Sequence, residues 1–422
     1  MAVHIHRIET SVPDTFYRQS FASELMQNIP WRRAGTKRIL RNIYQQSGIE
    51  KRHSVITDFN GSATSPLFFN RDGSPAPPPD TQTRNEWYTR EARRLFLRLG
   101  DQLLRNSPGF NKEDVTHVIT VSCTGFFAPG PDYYVVRELG LRDSVQRYHI
   151  GFMGCYAAFQ GLKMADSFCR SNPDAVVLVL CVELCTLHLQ FSEDTDAIIS
   201  ASVFADGGSG ALVSARNPSD IRRMTSQDGH NPLPKSLNDD DSPTGLPDSG
   251  QSQDITLEML DFQCSITPEG EEDMAWTIGN QGFLMRLSTY VPDIIRKNIG
   301  PALTSILKSA DLKSGDIARW AVHPGGRAIL DKVRDALQLP DEQLSDSRAV
   351  LRDYGNMSSA TILFVLKRMM EDTSLQANRT VFAMAFGPGL TIESGLFRTR
   401  QISNRESQQN RQNKEVPKAV KS

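Results

Sequence analysis

Cys155 lies in GFMGCYAAFQGLKMA (151–165), where an apolar stretch ends at Gly-Cys and runs straight into a helix pattern rich in small residues. A cysteine at the start of a buried helix meets unpaired backbone N–H groups and the positive end of the helix dipole, both of which favour the nucleophilic thiolate. On this pattern alone Cys155 is either such a nucleophile, with a lowered pKa, or a buried structural cysteine. His323 ends the apolar run of RWAVHPGGRAILDKV (319–333) at a Pro-Gly-Gly turn that opens a helix. A ring so placed can face a cavity as proton donor or oxyanion partner, or it can be an ordinary loop-edge histidine. Asn356 follows Gly355 in LRDYGNMSSATILFVL (351–366). Its neutral amide can donate to developing negative charge, while the plainer alternative is that Asn356 or Ser358 caps the next helix. In AFGPGLTIESGLF (385–397), Gly387, Pro388 and Gly389 make a tight loop, suited to close backbone approach or to a simple hairpin turn. The other histidines lack such a frame, although His188 falls where it can approach the same cavity.

The elements that must position these residues alternate. DVTHVITVSC (114–123), RELGLRDSV, RYHIGFM, the helix after Cys155 and AVVLVLCVEL (175–184) read as parallel strands covered on both faces by crossover helices. A second series follows: ARWAVHP (318–324), a helix from Ala328 to Leu337, SSATILFVLKRMM (358–370) and TVFAMAFGPGLTIESGLFR (380–398). Two α/β halves are expected, residues 1–228 carrying the cysteine and 257–400 carrying the histidine and asparagine. Between them, 229–256 includes NPLPKSLNDDDSPTGLPDSGQSQD, too poor in apolar residues to order itself, and reads as a mobile loop. The Pro run within 61–84 predicts an extended segment, and the polar stretch 401–422 a disordered tail.

With 422 residues, 39% hydrophobic and 23% charged, the chain can bury a large core of two domains. A net charge of -2, with only a small basic run near 32–41, leaves no footprint for nucleic acid or anionic membrane. No apolar stretch is long enough to span a bilayer, and MAVHIHRIETSVP alternates like a strand rather than a signal peptide, so a cytoplasmic protein is expected. Six cysteines without a CxxC pair suggest neither a disulfide framework nor a metal site. Partners are then small molecules or a second copy of the chain.

Taken in order, GFMGCYAAF, SASVFADGGSGA, WAVHPGGRAILD, YGNMSSATILFVL and AFGPGLTIE resemble the chalcone synthase-like type III polyketide synthases, from about Ile5 to Arg398. The resemblance implies an α/β thiolase-like fold of two similar five-layered αβαβα halves, assembled as a homodimer. It implies that Cys155 takes an acyl group from CoA while His323 and Asn356 hold the oxyanion, and that the same pair stabilises the enolate formed when malonyl-CoA loses CO₂. It assigns Phe204, in VFADGG, to the gate between CoA tunnel and cavity, and CoA contacts to Gly325, Ala328, Lys37, Arg38 and Arg41. CoA thioesters are substrates in this scheme, and no cofactor is implied.

Departures from the plant pattern narrow the expectation. Ser122-Cys123-Thr124-Gly125 replaces Thr-Thr-Ser-Gly, Cys185 replaces a cavity threonine, and Met285 replaces a second gatekeeping phenylalanine. Ala128 stands for a methionine that crosses the dimer interface, and Trp276 for a glycine. With Ser358 these complete the expected cavity lining. The changes resemble the microbial, especially fungal, branch making alkylpyrones, alkylresorcinols and resorcylic acids, and they favour a fatty acyl starter because Ala128 and Met285 open an apolar tunnel. A ketosynthase III-like enzyme using an acyl-carrier protein, or an inactive binding protein of the same fold, are the alternatives. A thiolase is disfavoured because no second cysteine follows Cys264.

Overall fold

The computed structural model describes residues 1–33, 35–60, 66–220 and 255–402. Its strands, in chain order, are β1 (Val3–Ser11), β2 (Phe16–Arg18), β3 (Lys51–His53), β4 (His117–Ser122), β5 (Gln146–Gly151), β6 (Val176–Leu184), β7 (Asp206–Ser214), β8 (Ile255–Ile266), β9 (Met274–Gly279), β10 (Gly282–Leu287), β11 (Ile317–Val322), β12 (Thr380–Gly387) and β13 (Thr391–Gln401). Every side chain of β6 is buried, as an unbroken apolar run demands when successive residues point to opposite faces and both faces are covered.

Nine strands form one mixed sheet in the order β11-β12-β13-β8-β1-β7-β6-β4-β5. Parallel pairing, expected from the sequence for the first-half strands, joins β4 to β5 and to β6, and it also joins β11 to β12. The other pairings are antiparallel. β12 and β13 show one reason: Pro388 to Leu390 alone join them, too few residues for the crossover that parallel strands require. The sheet repeats about the β1–β8 seam, with β1-β7-β6-β4 on one side answered by β8-β13-β12-β11 on the other. Where β5 would recur, the second half has the helix Ser345–Tyr354.

The helices Ala157–Ser171 and Thr361–Glu371 share one core with residues from β4, β6 and β7 of the first half and β8, β11 and β12 of the second. They form the middle layer. Thr81–Arg105 covers the outer face of the first half-sheet, and Val291–Ser309 with Arg327–Leu337 that of the second, which completes the αβαβα stack. Small residues permit the tight middle layer: a side chain on Gly161 would meet Val179 Cγ1 at 2.7 Å.

The segment expected to be extended over 61–84 gives way to helix at Thr81, because Asp80 accepts the Thr83 N–H and caps it. The loop expected at 229–256 lies outside the described residues as far as 254, and β8 begins at Ile255. Residues 403–422 of the expected tail also lie outside them. Among the described residues, no helix is long and apolar enough to cross a membrane.

Candidate active site

The chain leaves β5 through Phe152 (φ 56°) and Gly154 (φ 80°) and delivers Cys155 just ahead of the helix Ala157–Ser171. Gly154 is required there, because a side chain would meet Pro388 Cγ at 3.0 Å and Cδ closer still. The Gly387–Gly389 loop is therefore both a hairpin turn and a close backbone approach: it presses one half of the molecule against the nucleophile loop of the other. Burial pushes the Cys155 thiol up to about 11, with the charge of Glu183 adding to the rise and hydrogen bonding by Ser358 and Asn356 opposing it. Burial thus moves the thiol in the direction opposite to the lowering expected from the helix N-terminus.

β11 delivers His323, whose backbone N–H donates to Met384 O at 2.8 Å and whose carbonyl accepts from Gly325 N at 2.9 Å. Its ring is 1% exposed, and neither ring nitrogen has a partner among the described residues. Burial lowers its pKa to about 3, so the imidazole is neutral and carries one uncommitted N–H. A buried polar group without a partner calls for a ligand.

Asn356 is buried at the cavity and, contrary to one of its sequence readings, neither it nor Ser358 caps the helix that follows. Its Oδ1 accepts from Ser358 N at 2.9 Å in a local turn, and its Nδ2 donates to Gly325 O at 3.2 Å. With the amide so oriented, the second N–H is left for the cavity. Ser358 holds the left-handed conformation at φ 45°, a backbone state that a non-glycine residue keeps only when its surroundings enforce it.

Cys155, His323 and Asn356 line a single cavity with about 580 Å³ of empty space, together with Phe204, Cys123, Thr124, Cys185, Trp276, Met285, Gly325 and Ser358. Phe204, at the end of the helix Thr195–Val203, also faces a larger, mainly apolar cavity of about 870 Å³. Cys185, Phe204, Trp276 and Met285 line both and form the partition between them. Trp276 and Met285 are directly opposed across the β9–β10 hairpin.

The far wall is rigid. Trp276 Nε1 donates to Cys123 O at 2.8 Å, and its ring stands edge-on to His188, which stacks on Phe283 with centroids 4.2 Å apart. Phe283 N donates to His188 Nδ1 at 3.0 Å, so the proton sits on Nε2, which donates to Thr124 O at 2.8 Å. Burial depresses the His188 pKa to about 3. His188 is therefore a neutral wall group rather than an acid or base.

Glu183 escaped sequence reasoning. It is fully buried and accepts from Cys123 N and Thr124 Oγ1, both at 2.9 Å, and from Ser359 Oγ at 2.5 Å, tying both halves together behind Cys155. Burial raises its pKa to about 7 despite those donors. The signal was present: Glu183 is the one charged residue in the otherwise apolar β6.

Other expected residues are not gathered. Ala128 lies exposed on the loop after β4, beyond Phe126, which packs over Phe152 and Phe283, so it lines neither cavity of the chain. Ala328 is exposed on the first turn of Arg327–Leu337. Lys37, Arg38 and Arg41 lie on the exposed side of the helix Thr36–Gln46, whose buried side is Thr36, Leu40 and Tyr44. Among the described residues, no cluster of His, Cys, Asp or Glu could hold a metal ion. One thiol and two neutral donors around one cavity suit addition at a thioester carbonyl with capture of the oxyanion.

Family models described as "Chalcone and stilbene synthases", N-terminal and C-terminal domains, match residues 3–218 and 259–401. "Alpha-pyrone synthesis polyketide synthase-like Pks18" of Mycobacterium tuberculosis is 27% identical over 394 residues, covering 93% of this chain and 90% of that one. The crystal structure of PKS-I from the brown alga Ectocarpus siliculosus superposes with a TM-score of 0.80 at 29% identity, covering 94% of this chain and 98% of that one. For 1,3,6,8-tetrahydroxynaphthalene synthase from Streptomyces coelicolor the TM-score is 0.76 at 23% identity, covering 94% and 99%, a likeness of fold.

Proposed function

Because this chain belongs to the chalcone and stilbene synthase family and is a type III polyketide synthase of thiolase-like fold, we propose that it extends a fatty acyl-CoA starter with malonyl-CoA. The Cys155 thiol loses its proton as its sulfur attacks the starter thioester, the carbonyl–sulfur bond to CoA breaks, CoA leaves as the thiol carrying a proton, and an acyl-cysteine remains. The N–H groups of His323 and Asn356 hold the carbonyl oxygen as it gains charge. Malonyl-CoA then loses CO₂ beside Phe204, and its two electrons become an enolate held by the same two donors. The enolate carbon attacks the acyl-cysteine, the sulfur leaves, and a β-ketoacyl-CoA two carbons longer is released for reloading. After repeated rounds the chain closes to an alkylpyrone by lactonisation, or to an alkylresorcinol or resorcylic acid by aldol closure.

The observation that carries this reading is the meeting of Cys155, His323 and Asn356 in one cavity that shares a partition with a second, apolar one. The apolar lining of the larger, with Phe21, Leu25, Met26 and Phe69, suits an alkyl chain. The relative described by α-pyrone synthesis supports the pyrone outcome. CoA would lie against Gly325 and Ala328 and near the exposed cations Lys37, Arg38 and Arg41. The scheme needs no cofactor, and its working unit is a homodimer.

Purified enzyme and a Cys155→Ala variant, incubated with acyl-CoAs of graded length and labelled malonyl-CoA, give the test by mass spectrometry. Long-chain pyrones or resorcinols that depend on Cys155 are expected. Turnover of short or aromatic starters alone would sink the fatty acyl assignment, and activity with carrier-protein substrates alone would make the protein ketosynthase III-like.

A further inference from the structure

A helix end leaves carbonyls without intrahelical partners, and the helix Thr195–Val203 ends directly before Phe204. Three side chains from far away in the chain take the carbonyls there, Tyr44 Oη donating to Ala201 O at 3.4 Å beside the two that follow. Arg52, on β3, donates from one terminal nitrogen to Ala201 O at 2.8 Å and to Phe204 O at 2.6 Å. Gln19 donates to Ser202 O at 2.7 Å. The two brace each other, with Arg52 Nε donating to Gln19 Oε1 at 2.9 Å, while Gln19 Nε2 also reaches Ser47 Oγ at 3.1 Å. A cation is further favoured at this end of a helix by the dipole.

The same arginine reaches a second strand of the site. A side chain on Gly355 would lie 2.9 Å from Arg52 Cγ, so the arginine stem lies flat on the backbone immediately before Asn356. Phe204 and Asn356 are themselves joined backbone to backbone: Asn356 N donates to Val203 O at 2.9 Å, and Ala205 N to Asn356 O at 2.8 Å. Cys155 and His323 hang on other supports, the loop after β5 and the end of β11.

We propose that Arg52, braced by Gln19, is a positioning residue that holds the Phe204 ring and the Asn356 amide as one unit and so sets the geometry of the malonyl step. The proposal rests on the roles given above to Phe204 and Asn356. When Arg52 is lost, acylation of Cys155 keeps its sulfur and the His323 donor and is disturbed only through the Asn356 donor. Decarboxylation and condensation need the displaced pair. Lysine is no substitute, because one ammonium cannot span Gln19 and two carbonyls as the guanidinium fork does.

The experiment measures three rates in Arg52→Met and wild type: acylation of Cys155 from acyl-CoA alone, CO₂ release from malonyl-CoA, and full condensation. A shift of about 1 Å in reacting groups lowers a rate about 100-fold, so CO₂ release and condensation are expected to fall on that order. Acylation, which shares the Asn356 donor but not Phe204, is expected to fall at least about tenfold less than CO₂ release, and the KM for malonyl-CoA to stay within about threefold. Added guanidinium ion is expected to recover part of the rate in Arg52→Ala without raising the melting temperature. An unchanged enzyme, or an equal loss in all three rates, overturns the proposal. Should Arg52→Met not fold, Gln19→Met decides: the same split in weaker form sustains the clamp, and no split removes it. Wild-type enzyme that condenses nothing would sink the functional reading itself, whereas an active wild type with unsplit variant kinetics sinks only the clamp.

Discussion

Gly154→Ala puts the join between the two halves to a direct test. The new methyl would lie 3.0 Å from Pro388 Cγ and closer to Cδ, where carbon atoms normally stay about 3.5–4.0 Å apart, so one loop must yield by on the order of 1 Å. The position also sits at φ 80°, which adds about 1–2 kcal/mol for any residue with a Cβ. Overpacking of a rigid contact adds about 1–3 kcal/mol, for a total loss of stability of about 2–5 kcal/mol. Because Cys155 is the next residue, a displacement of this size is expected to lower condensation about 100-fold. Urea unfolding and steady-state kinetics measure the two effects. Pro388→Ala separates their causes, since it removes the two clashing ring carbons and leaves Pro388 N at an ordinary 3.6 Å. In Gly154→Ala/Pro388→Ala the steric share should return and the backbone share remain, giving a coupling energy of about 1–3 kcal/mol. Full stability and activity in Gly154→Ala, or strictly additive effects in the double variant, would refute the reasoning.

Asn356→Ala removes one of two oxyanion donors and is expected to lower kcat by about 100- to 1000-fold; stopped-flow or steady-state rates within tenfold of wild type would remove Asn356 from that role. Trp276→Ala opens the partition and frees His188 of its edge contact, so products should carry at least one more two-carbon unit, and an unchanged product spectrum counts against the partition. Glu183 holds its proton up to about pH 7 in the folded protein but releases it near 4.5 when unfolded, so wild-type stability should decline as pH rises between those values. At 1.36 kcal/mol per pKa unit the decline reaches about 3 kcal/mol, and Glu183→Gln should gain on wild type by that amount over the window. Urea midpoints for the two proteins that run parallel from pH 4.5 to 8 would contradict it.

Cys155, His323 and Asn356 were legible because each follows a glycine or ends an apolar run at a strand or helix boundary, where a backbone can turn a side chain into a cleft. The strands on either side were legible for the same reason, as uninterrupted apolar stretches. What the sequence hid depends on contacts distant along the chain. Arg52 reads as one charge in a basic tripeptide, yet its carbonyl partners lie up to 152 positions away. Glu183 stood in plain view within an apolar strand, but only the fold reveals Cys123, Thr124 and Ser359 around it. The β9–β10 hairpin, short and half-exposed, lacks the apolar run that marks a core strand, so Trp276 and Met285 could be singled out without the surface that presents them. Ala128, read from the sequence as a dimer-crossing position, lies on a loop that runs outward past Phe126. The Cys155 pKa went against expectation because local helix geometry is visible in sequence and desolvation is not.

The repetition about the β1–β8 seam amounts to a division of labour between two copies of one plan. In each half a loop follows the first parallel strand, bearing Cys123 and Thr124 after β4 and His323 after β11. In each half a second loop precedes the middle-layer helix, bearing Cys155 in one and Asn356 in the other. Nucleophile and amide donor thus occupy counterpart stations, as do the thiol–hydroxyl pair and the imidazole. Neither copy holds a complete set, so one can change its chemistry without a matching change in the other. An exact symmetric assembly of identical units would have lacked that freedom, since every substitution would be made twice.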